Sequence, residues 1–164
     1  MKSLTLIRHA KSSWKNPDQA DFERPLNKRG KKDAPLMAEK LAANMARPDL
    51  ILSSSAKRAI DTAKIFAEKL DYPKSNIVQQ RSIYEAGLSE LLDIIHAIDD
   101  THSSVLLFGH NPGFTYLGEL LTNHEVENIP TCGIFAMQFA VSSWREIAPA
   151  TGTLVSFDYP KRYK

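Results

Sequence analysis

Three short polar segments carry the residues that could do chemistry. Arg8-His9-Ala10-Lys11-Ser12 follows one apolar run, Ser53-Ser54-Ser55-Ala56-Lys57-Arg58 a second, and Gly109-His110-Asn111-Pro112-Gly113 a third. Two arginines and two histidines in such places suit a dianionic, tetrahedral phosphate. Arginine presents a planar fork of donors that matches phosphate oxygens. A neutral histidine can act as a nucleophile, and a second can donate hydrogen bonds to an oxyanion. Taken singly, each residue also has an ordinary explanation. His9 could be a structural histidine at a strand end and Arg8 an exposed strand-end charge. His110 could shape a tight turn among Gly, Asn and Pro. Arg58 fits the ordinary explanation least, because a basic residue in the first turns of a helix opposes the helix dipole.

The elements that must position these residues follow from hydrophobic periodicity. Strands are expected over residues 3–7, 50–53, 77–80 and 104–108, with two more in the tail over 133–141 and 151–157. Between them, helices are expected over 28–43, 56–70, 88–98 and 113–121. Leu36, Met37, Lys40 and Leu41 recur at helical spacing in the first helix, and Ile60, Ala63, Phe66 and Ala67 do so in the second. Strands alternating with helices imply an α/β fold, a mostly parallel sheet covered on both faces in a three-layer α/β/α arrangement. The last tail strand is expected to lie antiparallel at the sheet edge. Such sheets bind ligands beyond the carboxyl ends of their strands, and all three polar segments fall there. No repeat or Gly/Ser linker divides the chain, so residues 1–164 read as a single domain.

Composition narrows the function classes. Of 164 residues, 43% are hydrophobic and 24% charged, as in ordinary globular domains. No apolar run approaches a membrane span, and the start of the chain has no secretory pattern. One cysteine, Cys132, excludes an intrachain disulfide and fits a cytoplasmic, reducing setting. It reads as a structural thiol. Net charge is only +2, and the basic run from Lys28 to Lys32 reads as a solvated helix start, so no nucleic acid or membrane partner is expected. His9, His96, His102, His110 and Cys132 show no paired ligand spacing, and arginines beside the histidines would repel a cation. Neither a dinucleotide fingerprint nor a phosphate-binding glycine loop is present. No metal and no cofactor is expected.

Together the motifs resemble those of the histidine phosphatase, or phosphoglycerate mutase-like, superfamily. Leu6-Ile7-Arg8-His9-Ala10 is similar to its Arg-His-Gly signature, and Ser54 to Ala59 with Thr62-Ala63 to its Ser-x-x-x-Arg-Ala-x-x-Thr-Ala element. Phe108-Gly109-His110-Asn111 resembles its third motif. Arg24-Pro25-Leu26, Gly30 and Tyr84-Glu85 fill intermediate positions, so the resemblance spans essentially the whole chain. Short length and the Arg-Pro-Leu element resemble the small SixA-type phosphohistidine phosphatases. The resemblance implies a phosphoglycerate mutase-like fold and a metal-independent phosphatase. His9 would be the nucleophile, with Arg8, Arg58 and His110 on the phosphoryl oxygens and Arg24 as a further contact. Glu85 matches the general acid of mutase-like members, and its alternative is a surface glutamate before a helix. Lys11, Ser12 and Asn111 would line the mouth, and the loop from Ser13 to Phe22 would govern access, with Trp14 either a lid anchor or, the preferred reading, a packing residue. Alanine stands at position 10 where glycine is usual. The implied partner is a phosphorylated protein or a small phosphate ester, with inorganic phosphate as product. A catalytically idle module that binds phosphorylated partners is the remaining alternative.

Overall fold

Alternate apolar residues of the central strand point to opposite faces, and each face has its own core. The computed structural model describes residues 1–164. Its strands are β1 (Lys2–Arg8), β2 (Leu50–Ser53), β3 (Val78–Gln79), β4 (Ser104–Gly109), β5 (Ile134–Phe139) and β6 (Gly152–Asp158). The helices are α1 (Lys28–Ala42), α2 (Lys57–Lys69), α3 (Leu88–His96) and α4 (Gly113–Thr122). In β4, Val105 and Leu107 join Leu4, Leu6, Leu91, Ile95, Leu117 and Phe135 in one core under α3 and α4. Leu106 and Phe108 join Ile7, Ile51, Ala34, Met37, Ala63 and Phe66 in the other, under α1 and α2. A two-residue alternation on a strand buried from both sides reads as a continuous apolar run, which is how Ser-Val-Leu-Leu-Phe stands in the chain. No helix is long and apolar enough to cross a membrane.

The six strands form one sheet in the order β3-β2-β4-β1-β5-β6. The first four are mutually parallel, and this places the ends of β2, β4 and β1 side by side. The sequence reading of the last strand agrees with the structure, but it leaves the direction of the strand before it open. Although β6 lies at the edge and pairs antiparallel with β5, the strand that opposes the parallel set is β5, antiparallel to β1. The cause is the return of the chain after α4, which ends at Asn123 in a left-handed conformation, φ 54°. Residues 124–133 climb back to the rim, where the Cys132 N–H donates to the carbonyls of Arg8 and His9, both at 3.0 Å. β5 therefore enters the sheet beside the end of β1 and has to run down it. The third strand is also shorter than expected, two exposed residues at the sheet edge.

Candidate active site

Backbone hydrogen bonds draw the three polar segments onto one rim. The His9 N–H donates to Gly109 O at 3.0 Å and the Ser54 N–H to Phe108 O at 3.0 Å, so the chain ends of β1, β4 and β2 stay in register past the last strand residue. Thr62 then ties α2 to the segment after β1: its hydroxyl donates to Arg58 O at 2.7 Å and accepts the Ala10 N–H at 3.0 Å. Ala10 is fully buried and is not among the residues with positive φ, so an alanine fits there without backbone strain. Two residues bordering the rim do adopt the left-handed region, Glu85 at φ 59° and Cys132 at φ 60°. For residues with a Cβ this costs about 1–2 kcal/mol each.

The two imidazoles lie with ring centroids 5.2 Å apart. His9 is 7% exposed, and its Nδ1 lies 2.7 Å from the carbonyl of Ala10. A carbonyl only accepts, so Nδ1 carries the ring proton and Nε2 keeps its lone pair. The Nε–H of Arg58 meets that lone pair at 3.3 Å. His110 Nε2 lies 2.8 Å from the hydroxyl of Ser54, which accepts the Ala56 N–H. His110 Nδ1 is buried and has no hydrogen-bond partner. Burial pushes the His9 imidazolium down to about 3, with the His110, Arg58 and Arg8 charges adding to it against the Ala10 hydrogen bond. Burial, followed by the charge of Arg58, lowers His110 to about 3 as well. Both rings are neutral at neutral pH.

That neutrality makes stability depend on pH in a definite direction. Unfolded histidines titrate near pH 6.5, so between there and about pH 3 the unfolded chain binds protons that the folded chain refuses. Stability gained from these groups is complete above pH 6.5 and is lost on acidification. At pH 5 each imidazole costs about 2 kcal/mol. Urea unfolding at pH 8 and pH 5 should show the wild type losing about 2 kcal/mol more than His9→Ala over that interval. Equal losses in the two proteins would refute the depressed His9.

Four buried side-chain polar atoms in the whole protein lack a hydrogen-bond partner: Arg8 Nε, Arg24 Nε, Arg24 Nη1 and His110 Nδ1. The three guanidinium nitrogens are donors, and all four atoms belong to this cluster. Orphaned buried donors are costly and rare, and their concentration at one place gives this cluster the capacity to receive an anion. Arg8 donates Nη1 to Ile129 O at 3.0 Å. Burial, then the nearby charge of Arg58, lowers the pKa of Arg8. Arg24 is 6% exposed and donates Nη2 to Ser12 Oγ. Its Nε stands 3.5 Å from Asp21 Oδ1, within ion-pair reach, but makes no hydrogen bond there. Three guanidinium groups against the one carboxylate of Asp21 leave two unbalanced positive charges, matching a phosphate dianion.

Asp21 is the residue that sequence reasoning missed. It sits in a 3-10 turn, Asp21–Glu23, inside the loop that the chain makes between Ser12 and Leu26. The loop is pinned at its base by an antiparallel bridge between those two residues and by the Ser13 N–H to Pro25 O bond of 2.8 Å. Gly30 of α1 packs so closely on the same base that a Cβ there would stand 2.1 Å from Lys11 O. The Asp21 carboxylate accepts from Arg58 Nη2 at 3.0 Å and from the Tyr84 hydroxyl at 2.6 Å, while its backbone carbonyl accepts from Arg58 Nη1 at 2.7 Å. The only sequence signal for it is an acidic residue three places before Arg24. Trp14 also departs from its reading. It is 73% exposed and stacks over Arg24, whose Cζ lies 3.4 Å from the ring centroid, so it covers a cation and takes no part in the core.

The residues expected at the mouth divide by what they bond to. Ser12 is buried and holds Arg24. Asn111 spends its amide within the protein: Nδ2 donates to Asn128 Oδ1 and to Ile129 O, both at 2.9 Å. Its Oδ1 accepts from Thr115 N and Oγ1. Asn111 thus braces the start of α4 beneath His110. Lys11 is half-buried and takes part through its carbonyl, which accepts the Asn27 N–H at 3.0 Å. Glu85 is exposed and lines a cavity of about 410 Å³ with His110, Asn111 and Tyr116. No three His, Cys, Asp or Glu side chains are grouped as a metal ion would require.

Neutral histidines and buried arginines gather on one rim above a mostly parallel sheet, in an α/β protein. Residues 4–91 match the model of the histidine phosphatase superfamily (branch 1), and the chain belongs to that superfamily. An uncharacterised chloroplastic protein of Arabidopsis thaliana is 30% identical, over 92% of this chain and 72% of its own length. An uncharacterised protein of Mycobacterium tuberculosis is 31% identical over 94% of this chain and all of its own. The crystal structure of an Agrobacterium tumefaciens protein, provisionally assigned as the phosphohistidine phosphatase SixA, superposes with a TM-score of 0.80. The two are 29% identical, over 97% of this chain and 98% of that one. The architecture is phosphoglycerate mutase-like, and these likenesses support a phosphatase of this superfamily.

Proposed function

We propose that this protein is a metal-independent phosphatase that works through a phosphohistidine on His9 and takes phosphohistidine carried by a protein as its substrate. The observation that carries this reading is the clustering of the unpartnered guanidinium donors of Arg8 and Arg24 with His110 beside an imidazole whose Nδ1 proton is fixed on Ala10 O. The lone pair of His9 Nε2 attacks phosphorus, and the bond from phosphorus to the substrate imidazole breaks. The substrate ring, protonated on its other nitrogen, keeps the electron pair of that bond and leaves as a neutral imidazole. Water then attacks the phosphoryl group on His9, the second phosphorus–nitrogen bond breaks, and inorganic phosphate leaves with His9 neutral again. The arginines and His110 hold the phosphoryl oxygens and stabilise charge as it develops, the largest contribution in such transfers. An imidazole is a good leaving group and has little need of an acid. The name of the Agrobacterium neighbour and the single buried thiol of Cys132 support a phosphohistidine substrate and a cytoplasmic setting.

A second reading, hydrolysis of small phosphate esters, is favoured by Glu85. It lines the same cavity as His110 and could protonate an ester oxygen. The deciding experiment measures kcat/KM in the presence of EDTA for a phosphohistidine-bearing protein and for p-nitrophenyl phosphate. Higher kcat/KM for the phosphoprotein supports the first reading, and the reverse order, with a fall in Glu85→Gln on the ester alone, supports the second. Phosphate binding without turnover of either substrate would leave a binding module.

A further inference from the structure

Arg58 presents two donors along one edge, Nε and Nη2, the parallel pair that a phosphoryl oxygen pair takes. Nε points to the lone pair of His9 Nε2 at 3.3 Å, so this edge faces the position where a phosphoryl group on His9 would lie. The other donor of the same edge, Nη2, is held by Asp21 Oδ2 at 3.0 Å. The grip is reinforced from two sides. Tyr84 donates its hydroxyl to that same Oδ2 at 2.6 Å, and the backbone carbonyl of Asp21 takes Nη1. Tyr84 is itself set by edge-on contacts with Phe22 and His110, centroids 5.0 and 5.4 Å away. Meanwhile the Asp21 side chain is 47% exposed, so it can turn out to water without losing a buried environment.

We propose that Asp21 is a built-in competitor of the phosphoryl group, whose carboxylate holds the Arg58 Nη2 that phosphate needs and leaves it when phosphate binds. The proposal rests on the phosphoryl site described under the proposed function. A carboxylate and a phosphoryl oxygen are both anionic acceptors, and two anions drawn to the same Nη2 repel each other. Asp21 therefore favours the phosphate-free protein and lowers its affinity for phosphate. For a phosphatase this is useful, because the last step releases inorganic phosphate from several arginines at once, and a carboxylate ready to take back Nη2 hastens that release. Tyr84 sets the strength of the competition by holding the carboxylate on Arg58. Asp21 is thus a residue that tunes affinity and product release, with no bond to the reacting atoms.

The test is the dissociation constant of inorganic phosphate for the full chain, with product inhibition of turnover as the second readout. Asp21→Asn keeps the size of the side chain and removes its charge. It should bind phosphate roughly tenfold more tightly and show a correspondingly lower inhibition constant. Tyr84→Phe should move in the same direction by less. Glu23→Gln removes a nearby charge on the same turn that makes no ion pair, and should leave phosphate affinity unchanged. A residue that merely held Arg58 in place would give the opposite sign, since its loss would weaken binding. Unchanged or weaker binding in Asp21→Asn, or an equal gain in Glu23→Gln, overturns the proposal. Phosphate binding absent from every variant and the wild type, with no turnover, overturns the phosphoryl site itself.

Discussion

His9→Ala should abolish turnover while phosphate still binds. Loss of a nucleophile removes the covalent route entirely, and for groups of this kind the fall in kcat is at least about 10⁴-fold. The expectation is specific because the structure gives His9 a fixed tautomer. With Nδ1–H donated to Ala10 O at 2.7 Å and burial holding the ring neutral above about pH 3, Nε2 keeps an unprotonated lone pair across the working range. Its neighbours Arg8, Arg58 and His110 remain in the variant, so inorganic phosphate should bind with a dissociation constant within a few-fold of wild type. Rapid acid-free quenching of the wild type during turnover should trap phosphate on one histidine, and the label should be missing from His9→Ala. Turnover in the variant within tenfold of wild type, or a requirement for added metal, would exclude His9 as the phosphoryl carrier.

Arg58→Ala should produce the second largest loss, about 10³-fold in kcat/KM, because one side chain serves three contacts. It touches His9 Nε2, the Asp21 carboxylate and the Asp21 carbonyl from a position 7% exposed. Arg58→Lys keeps the charge but not the fork, and should recover only part of the loss. A second signature separates this from general loosening. Arg58 is among the causes that depress both His9 and His110, behind burial in each case, so removing it should raise both imidazoles. The acid limb of the residual activity should then move to higher pH in Arg58→Ala and stay in place in Arg58→Lys. Identical pH profiles in the two variants would show that the arginine does not act on the imidazoles through its charge.

Much of this site could be read in the chain because its main residues sit at strand ends. A buried parallel strand announces itself as a short apolar run, and the residue after it is carried to the carboxyl rim by the backbone alone. Arg8, His9 and His110 needed no more than that, and Arg58 needed only the first turn of the next helix. The alternation of Val105 and Leu107 with Leu106 and Phe108 likewise made two covered faces, hence three layers, a local consequence of sequence. These properties depend on neighbours a few residues away, and period and residue type determine them.

Contacts made by closing long loops were decided only in three dimensions. Asp21 meets Arg58 across 37 positions and Tyr84 across 63, and nothing in the local pattern of Ala20-Asp21-Phe22 distinguishes it from a solvated turn. The direction of β5 was settled by where residues 124–133 bring the chain, to Arg8 and His9. Asn111 and Ser12 look like ligands by type, yet their hydrogen bonds go to Ile129, Thr115 and Arg24. Trp14 left the core to cover Arg24. Sequence determines which groups stand at the rim, since a strand end is a local event. Which of those groups remain free for a ligand depends on partners supplied from distant segments, and only the packed chain decides that.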